Sequence, residues 1–347
     1  MNGFLALEDG SVFRGTSVGS EGYAFGEAVF TTAMTGYQEL VTDPSYAEQI
    51  ICFTAPMVGN YGVAEQRCES PGPRARAVVM REARGPAWTD WLHERGIVAL
   101  SELDTRTLVL HLRQRGAMRA IAVAGDASVE EAVRAVREQP PMSGRALAAK
   151  VSTPEPYVYA DSGNALVAVV DYGCKRSILT RLAAAGASVT VFPHDATPRD
   201  LAQFDGVLLS NGPGDPEPLH AEVETVRQLL GRVPLLGICL GHQLLALATG
   251  HDTFKLPFGH RGANHPVLDK RTNRVLVTSQ NHGFAVEASE AKEVTHVSLY
   301  DGTVEGLDYP WLRARSVQFH PEAGPGPHDA WHLLESWVEE VSLAAAA

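Results

Sequence analysis

The chain has 347 residues, too many for one ordinary hydrophobic core, so about two domains are expected. Its formal net charge of -12 disfavours a general nucleic-acid-binding protein, because such proteins present stripes of Lys and Arg to the phosphates. No apolar run approaches the roughly 18 residues of a membrane span and the N-terminus carries no secretory pattern, so the sequence predicts no membrane segment and a cytoplasmic location.

The first half of the chain, residues 1–151, predicts a separate domain of mixed α/β type. Short β-like runs such as "EAVFTTAMTG" and "RARAVVMRE" alternate irregularly with helical patterns at "DWLHERG" and "DTRTLVLHLRQRG". Residues 152–164, "STPEPYVYADSGN", then cluster Pro, Ser, Gly and Asn without periodicity. Such a stretch is typical of a linker between domains.

From residue 165 to 347 the pattern changes to strands that alternate with helices. "ALVAVVDYG" reads as a buried strand, and the helix "KRSILTRLAAAG" follows it and ends at Gly186. Thr197 and Pro198 supply an N-cap and a first-turn proline for another helix, and "GVLL" and "VPLLGIC" are further strands. This alternation predicts an α/β domain with an open, mostly parallel sheet and helices on both faces. In such a sheet, ligands bind at the carboxyl ends of the strands.

Cys239 stands where a predicted strand becomes a helix, within "GICLG". The flanking glycines have the spacing of a nucleophile elbow, in which a sharp turn lifts the central residue above the sheet. The positive end of the following helix favours a thiolate at this position. A buried structural cysteine is the competing interpretation, and the spacing alone leaves both open.

A cysteine nucleophile needs a general acid and base, and "SVQFHPEAGPGPHDA" offers His320 and Glu322. We expect Pro321 to keep this segment extended, so that the two side chains point to the same side. "SNGPGDP", residues 210–216, follows a strand and could present backbone amides to an oxyanion. The alternatives are a solvated loop pair and an ordinary tight turn.

Patterns for cofactors and metals are missing from the sequence. The four cysteines never take the Cys-x-x-Cys spacing of zinc or redox sites, so neither disulfides nor zinc is expected. Neither glycine-rich phosphate-binding pattern occurs, and ATP chemistry, if any, belongs to another chain. His328 and His332 lie four apart on the last predicted helix but lack a third ligand, and His242 is expected to pack beside the elbow. We therefore expect no cofactor and no metal in this chain.

Taken together, "GICLGHQLLALATG", "SNGPGDP", "QNHGFAV" and "QFHPEAGPGPHDA" resemble the class I glutamine amidotransferases, a family of Cys-His-Glu glutaminases. In the first half, "GEAVFTTAMTGYQELVTDPSYAEQI", "GNYG" and "LDTRTLVLHLRQRGAM" look like the small subunits of carbamoyl-phosphate synthases, as does "DYGCKRSIL" further on. The similarity covers nearly the whole chain.

The resemblance implies a glutaminase that hydrolyses L-glutamine through a cysteine thioester and passes ammonia to a large synthetase subunit. ATP and its metal ions would be bound by that large subunit. Carried over by motif, Cys239 would be the nucleophile, His320 the acid and base, and Glu322 the residue that orients the imidazole. The oxyanion donors would be the backbone amides of Gly212 and Leu240. The ligands of the glutamine substrate would be Ser45, Gly214, Gln243, Asn281, Gly283 and Phe284.

Two alternatives remain open at this point. One is the glutaminase component of another class I amidotransferase, although the first half of the chain argues against it. The other is a catalytically silent scaffold subunit, which would be expected to lose the thiol, the imidazole or the glycines.

Overall fold

The computed structural model describes residues 2–288 and 291–346, which belong to two compact units. One unit spans Met1–Met142 and also takes in Pro257–Gly262, and the other spans Ser143–Leu256 and Ala263–Ala347. The division predicted from the sequence, with a first domain of 1–151 and a linker of 152–164, stays a prediction. Among the described helices, none has both the length and the apolar content needed to cross a bilayer.

Within the described residues, the first unit is built on a seven-stranded closed barrel with strand order β1-β2-β6-β5-β4-β3-β7. The pairs β6-β5, β5-β4 and β4-β3 are parallel, and the other neighbouring pairs are antiparallel. The strands are β1 (Asn2–Leu7), β2 (Val12–Ser17), β3 (Gly22–Thr31), β4 (Gln49–Phe53), β5 (Ala77–Val79), β6 (Val98–Ser101) and β7 (Met118–Ala124). The helices are α1 (Tyr37–Thr42), α2 (Pro86–Glu94), α3 (Thr105–Arg115) and α4 (Val129–Arg137).

The second unit contains a ten-stranded sheet over its described residues, with strand order β14-β13-β15-β16-β17-β12-β11-β9-β10-β8. Its strands are β8 (Tyr157–Ala160), β9 (Ala165–Asp171), β10 (Ala187–Pro193), β11 (Gly206–Leu209), β12 (Leu235–Ile238), β13 (Asp252–Asp269), β14 (Arg274–Glu287), β15 (Val294–Ser298), β16 (Val304–Tyr309) and β17 (Ala314–Val317). Its helices are α5 (Ala148–Val151), α6 (Arg176–Ala184), α7 (Pro198–Leu201), α8 (His220–Leu229), α9 (Leu240–Ala248) and α10 (Trp331–Ala346).

The parallel core of this sheet, in the order β10-β9-β11-β12-β17, buries both of its faces. Along β9 the side chains alternate, so that Ala168 and Val170 pack with α8 and α9 on one face. Val167 and Val169 pack with α6 and α10 on the other. Because successive residues of a strand point to opposite faces, a continuous apolar run is the expected sequence of such a strand. The predicted fold class, with helices on both faces of the sheet, is confirmed.

Most predicted elements of the second half are present, with some differences in extent. The Thr197 hydroxyl accepts a hydrogen bond from the Asp200 amide at 3.3 Å, as expected of an N-cap, although the helix ends at Leu201. The stretch predicted as a linker contains β8, which pairs antiparallel with β10 in the second unit. Local turn-forming composition therefore did not prevent a strand, because an edge position tolerates it.

Candidate active site

Cys239 occupies the turn between β12 and α9, with φ of 53° and ψ of -102°. A positive φ is strained for a side chain with a Cβ, and such strain is typical of a nucleophile elbow. The flanking glycines allow this turn. A Cβ on Gly237 would lie 2.5 Å from the carbonyl oxygen of Gly241, and one on Gly241 would lie 2.1 Å from that of Leu209. Both distances are shorter than any real Cβ contact, so the turn requires glycine on either side of the cysteine.

Three ionisable side chains come together behind the elbow. His320 Nδ1 and Glu322 Oε1 are 2.7 Å apart, and Lys175 Nζ donates to the same carboxylate oxygen at 2.7 Å. All three side chains are at most 2% exposed. Since the carboxylate accepts at Nδ1, the imidazole carries a proton there and directs Nε2 away from Glu322. This is the arrangement in which a carboxylate orients a histidine for proton transfer.

The charges of this cluster shift the pKa values of its members in opposite directions. Burial lowers the pKa of the His320 imidazole, but the charge and the hydrogen bond of Glu322, together with the interaction with Cys239, hold that pKa well above its ordinary value. Burial raises the pKa of the Glu322 carboxyl, but the Lys175 ammonium and His320 outweigh it and hold this pKa well below its usual range. A charged Glu322 beside a protonatable His320 is therefore the stable state of the pair.

The thiol lies near this cluster without a short bond to it. Cys239 is one of the groups that raise the pKa of His320, and its Sγ contacts the Asn281 carbonyl oxygen at 3.7 Å. The buried Nε2 of His320 has no hydrogen-bond partner among the described residues. Catalytic hydrogen bonds are often loose before substrate binds, so this arrangement fits a nucleophile and base that await substrate.

Two backbone amides beside Cys239 suit an oxyanion. Leu240 is the first residue of α9, and Gly212 lies in the turn after β11. Neither amide donates a hydrogen bond to an acceptor in the described parts of the chain. A Cβ on Gly212 would lie 2.3 Å from the Tyr172 carbonyl oxygen, so only glycine fits this close approach. Gly214 has φ of 93°, which also favours glycine.

Strand β14 brings the segment Asn281–Phe284 to the elbow. The bridge between Ser279 and His320 places this strand beside the histidine. The Phe284 carbonyl oxygen accepts from His282 Nδ1 at 2.7 Å and from Gln243 Nε2 at 2.9 Å. Gln243 thus links α9 to the strand that carries Asn281, Gly283 and Phe284. The structure brings these four candidate residues together, and their role as substrate ligands stays a prediction.

Ser45 belongs to the first unit, where it lies in the short 3₁₀ helix Pro44–Tyr46. Its amide donates to the Asp43 side chain at 2.9 Å, and its own side chain is buried. Its expected place among the ligands of the substrate stays a prediction.

The remaining histidines of the sequence analysis have other environments. His242 is fully buried with Nδ1 2.8 Å from the Ser316 hydroxyl, and burial lowers its pKa to about 3, so it packs as a neutral side chain. His328 precedes α10, so the expectation that it shares a helix with His332 is wrong. Its ring stacks on Trp331 with centroids 3.6 Å apart. The prediction that this chain binds no metal stays a prediction.

Comparisons with known proteins identify the family of the chain. Residues 168–339 match the family described as glutamine amidotransferase class-I, and residues 5–122 match the carbamoyl-phosphate synthase small chain, CPSase domain. The chain is 45% identical to a carbamoyl phosphate synthase small chain of Syntrophotalea carbinolica, over 98% of this chain and 97% of the relative. The small chain of Methanopyrus kandleri is 46% identical over 99% of both chains.

The chain belongs to the carbamoyl phosphate synthase small chain family. The family assignment made from the sequence motifs is therefore confirmed. The four cysteines are free thiols in the structure.

Lys175 is the residue of this site that sequence reasoning missed. It lies in the turn between β9, which ends at Asp171, and α6, at the carboxyl end where ligand-binding residues gather in parallel sheets. Its amide donates to the Asn211 side chain at 3.1 Å, which fixes the turn, and its ammonium reaches Glu322 across 147 residues of sequence. The local signal was a lysine shortly after a strand end, in the family motif "DYGCKRSIL".

Replacing Lys175 with Met is expected to lower kcat for glutamine hydrolysis about 10- to 100-fold. Lys175 lowers the pKa values of both Glu322 and His320, so its loss raises both. The neutral imidazole that activates water then forms only at higher pH. The acidic limb of the plot of kcat against pH should therefore move to higher pH. Steady-state kinetics across pH measure the shift.

Lys270→Met makes the same chemical change at an exposed lysine of the same unit, and its profile should match the unaltered protein. Loss of one partner of a buried ion pair should also reduce the free energy of unfolding of Lys175→Met by about 3 kcal/mol. An unshifted profile together with unchanged stability would contradict the role given to Lys175.

Proposed function

We propose that this chain is the glutamine-hydrolysing subunit of a carbamoyl-phosphate synthase. The observation that carries the proposal is the strained elbow at Cys239, with the buried cluster of His320, Glu322 and Lys175 in the same unit. A purely structural cysteine would need neither the two close glycine contacts nor a buried histidine with an orienting carboxylate. The same features argue against a silent scaffold subunit.

The hydrolysis proceeds by acyl transfer. The Cys239 thiol gives its proton to His320 Nε2 while its sulfur attacks the side-chain amide carbon of L-glutamine. The oxyanion that forms is stabilised by the amides of Gly212 and Leu240. His320 then protonates the departing nitrogen, ammonia leaves, and a γ-glutamyl thioester remains. Water, deprotonated by His320, attacks the thioester, and glutamate leaves as the thiol is restored.

The substrate is held by residues that fit an amide and an amino acid backbone. We assign Gly214, Gln243, Asn281, Gly283 and Phe284 of the second unit to this role, and the family motif adds Ser45 to the ligands. Carbonyl and amide groups of β14 can supply hydrogen bonds at fixed geometry, because the hydrogen bond from Gln243 Nε2 to the Phe284 carbonyl oxygen holds this strand against α9. Preorganised groups of this kind lose little entropy when substrate binds.

The product ammonia is passed to a large synthetase subunit, which binds ATP and its metal ions and makes carbamoyl phosphate for arginine and pyrimidine synthesis. Support comes from the match of residues 5–122 to the small-chain CPSase domain, a region outside the glutamine amidotransferase match at residues 168–339. We place the complex in the cytoplasm and assign no cofactor to this chain.

The test is to measure glutamate release by the chain alone and with an added carbamoyl-phosphate synthase large subunit. We expect slow hydrolysis alone and at least a tenfold rise in the complex, since unrestrained hydrolysis would waste ammonia. Carbamoyl phosphate should then form from glutamine. A guanylate or anthranilate synthetase subunit serves as the control partner and should cause no rise. Stimulation by the control partner alone would identify another amidotransferase and overturn the assignment.

A further inference from the structure

A groove on the first unit has no part in the chemistry described above. It encloses a cavity of about 460 Å³ between α3 and the chain that follows β4. Its lining includes three arginines and three apolar side chains, Arg81, Arg106, Arg113, Pro56, Val109 and Leu110. All belong to the first unit.

The groove presents one face of α3. Arg106, Val109, Leu110 and Arg113 follow the i, i+3, i+4, i+7 spacing that aligns side chains on one side of a helix. The opposite side of the helix packs into the barrel core through buried residues such as Leu108 and Leu112. Leu110, by contrast, is 44% exposed. The solvent-facing side of α3 therefore has an apolar centre, Val109 and Leu110, between two cationic side chains, Arg106 and Arg113.

Three arginines converge on this groove. None of the three forms an ion pair with a carboxylate of the described residues. In the same unit, Arg76 and Arg95 each lie 2.6 Å from a glutamate. Hydrogen bonds from Thr107 lower the pKa of the Asp104 carboxyl, and the charge of Arg81 lowers it further, but Arg81 and Asp104 make no ion pair. On a chain of net charge -12, three cations are left facing one cavity.

Exposed apolar side chains continue beyond the groove. Along the segment after β4, Thr54 and Pro56 line the groove, whereas Ala55 and Met57 line a second, smaller pocket together with Met34. Met34 is 64% exposed and Met57 43% exposed. Arginine and methionine are both enriched at protein interfaces, where aliphatic parts are covered and the charges pair at the edge.

We propose that this arginine-flanked groove, with Met34 and Met57 beside it, docks an acidic segment of the large synthetase subunit. The identity of the partner rests on the proposed function. Unpaired arginines attract carboxylates, and attraction between opposite charges sets orientation and speeds association. A protein segment fits better than a small anion because only a protein would also cover Leu110 and the two methionines.

The test measures the dissociation constant of the full chain for the large subunit after charge reversal. Arg106→Glu combined with Arg113→Glu should weaken binding at least about 30-fold at low salt, and the loss should shrink as salt is raised. Leu110→Ser removes only apolar contact and should weaken binding about fivefold with unchanged salt dependence. Glutamine hydrolysis by the isolated variants should stay at its basal rate, which shows that they are folded.

The matched control is Arg14→Glu combined with Arg115→Glu, an equal change of charge at exposed positions of the first unit outside the groove. Its affinity should stay within about threefold. Unchanged affinity of the groove variants would overturn the docking proposal while the proposed function stands. Inorganic phosphate provides a further check. The docking proposal would also be overturned if phosphate bound the unaltered chain but not the Arg106→Glu, Arg113→Glu variant, while the large subunit bound these two proteins with equal affinity. Absence of any binding by the unaltered chain would overturn the partner and the docking surface together.

Discussion

Replacing Cys239 with Ser should abolish glutamine hydrolysis, with a fall in rate of at least about a thousandfold. A serine hydroxyl at this elbow keeps the shape of the thiol, but it gives up its proton far less readily and is a much weaker nucleophile. In complex with the large subunit, carbamoyl phosphate should no longer form from glutamine but should still form from added ammonium. The measurement is the rate of synthesis from each nitrogen source.

The control for this variant is Cys68→Ser, a matched change in the first unit. Cys68 is buried, and its sulfur accepts from Gln38 Nε2 at 3.1 Å, a bond that a hydroxyl can replace. Its glutamine-driven rate should stay within twofold, and both variants should unfold at the denaturant midpoint of the unaltered protein. A glutamine-driven rate that survived Cys239→Ser would show that another group is the nucleophile.

The elbow could be predicted because its physical requirements lie within five residues. Gly237 and Gly241 flank Cys239 at a strand-to-helix junction, and each lacks a Cβ where one would strike a backbone oxygen at 2.5 or 2.1 Å. A steric condition of this kind requires glycine at particular positions near the cysteine, and these glycines can be recognised in the local sequence. The strained φ of Cys239 follows from the same junction.

The contact between His320 and Glu322 was predicted, but from the wrong backbone geometry. We expected an extended segment held by Pro321, whereas β17 ends at Val317 and the chain turns at Pro321 and Glu322. The Ala323 amide donates to the His320 carbonyl oxygen at 3.2 Å within this turn. Where a strand ends depends on its pairing with neighbours, and a single stretch of sequence does not contain that information.

Contacts between residues that are far apart in the sequence could not be predicted from local sequence patterns. Lys175 and Glu322 meet because the carboxyl ends of β9 and β17 belong to one parallel sheet, and no local pattern relates them. Similarly, the first unit was expected only to be mixed α/β. Closure of its barrel needs β1 to pair with β7, more than a hundred residues along the chain. Contacts of this range are set by the packing of the whole unit.

His320→Asn should reduce kcat for glutamine hydrolysis about 10³- to 10⁴-fold, whereas Glu322→Gln should reduce it only about 10- to 100-fold. The imidazole itself carries the proton in both steps of the reaction, and the carboxylate acts through it. Because the charge of Glu322 is the strongest of the effects that raise the pKa of His320, Glu322→Gln should lower that pKa. The remaining activity should therefore rise and level off at lower pH, while KM changes little.

A second histidine–glutamate pair in the same unit, which is partly buried, provides the control. Glu222 Oε1 lies 2.9 Å from His194 Nδ1, so Glu222→Gln removes a carboxylate from a histidine without touching the elbow. That variant should keep kcat within about twofold and should leave the pH profile unchanged. Equal losses from His320→Asn and Glu322→Gln would contradict an orienting role, because they would mean that the carboxylate takes part in proton transfer. A profile that did not move in Glu322→Gln would show that the carboxylate does not govern the protonation of His320.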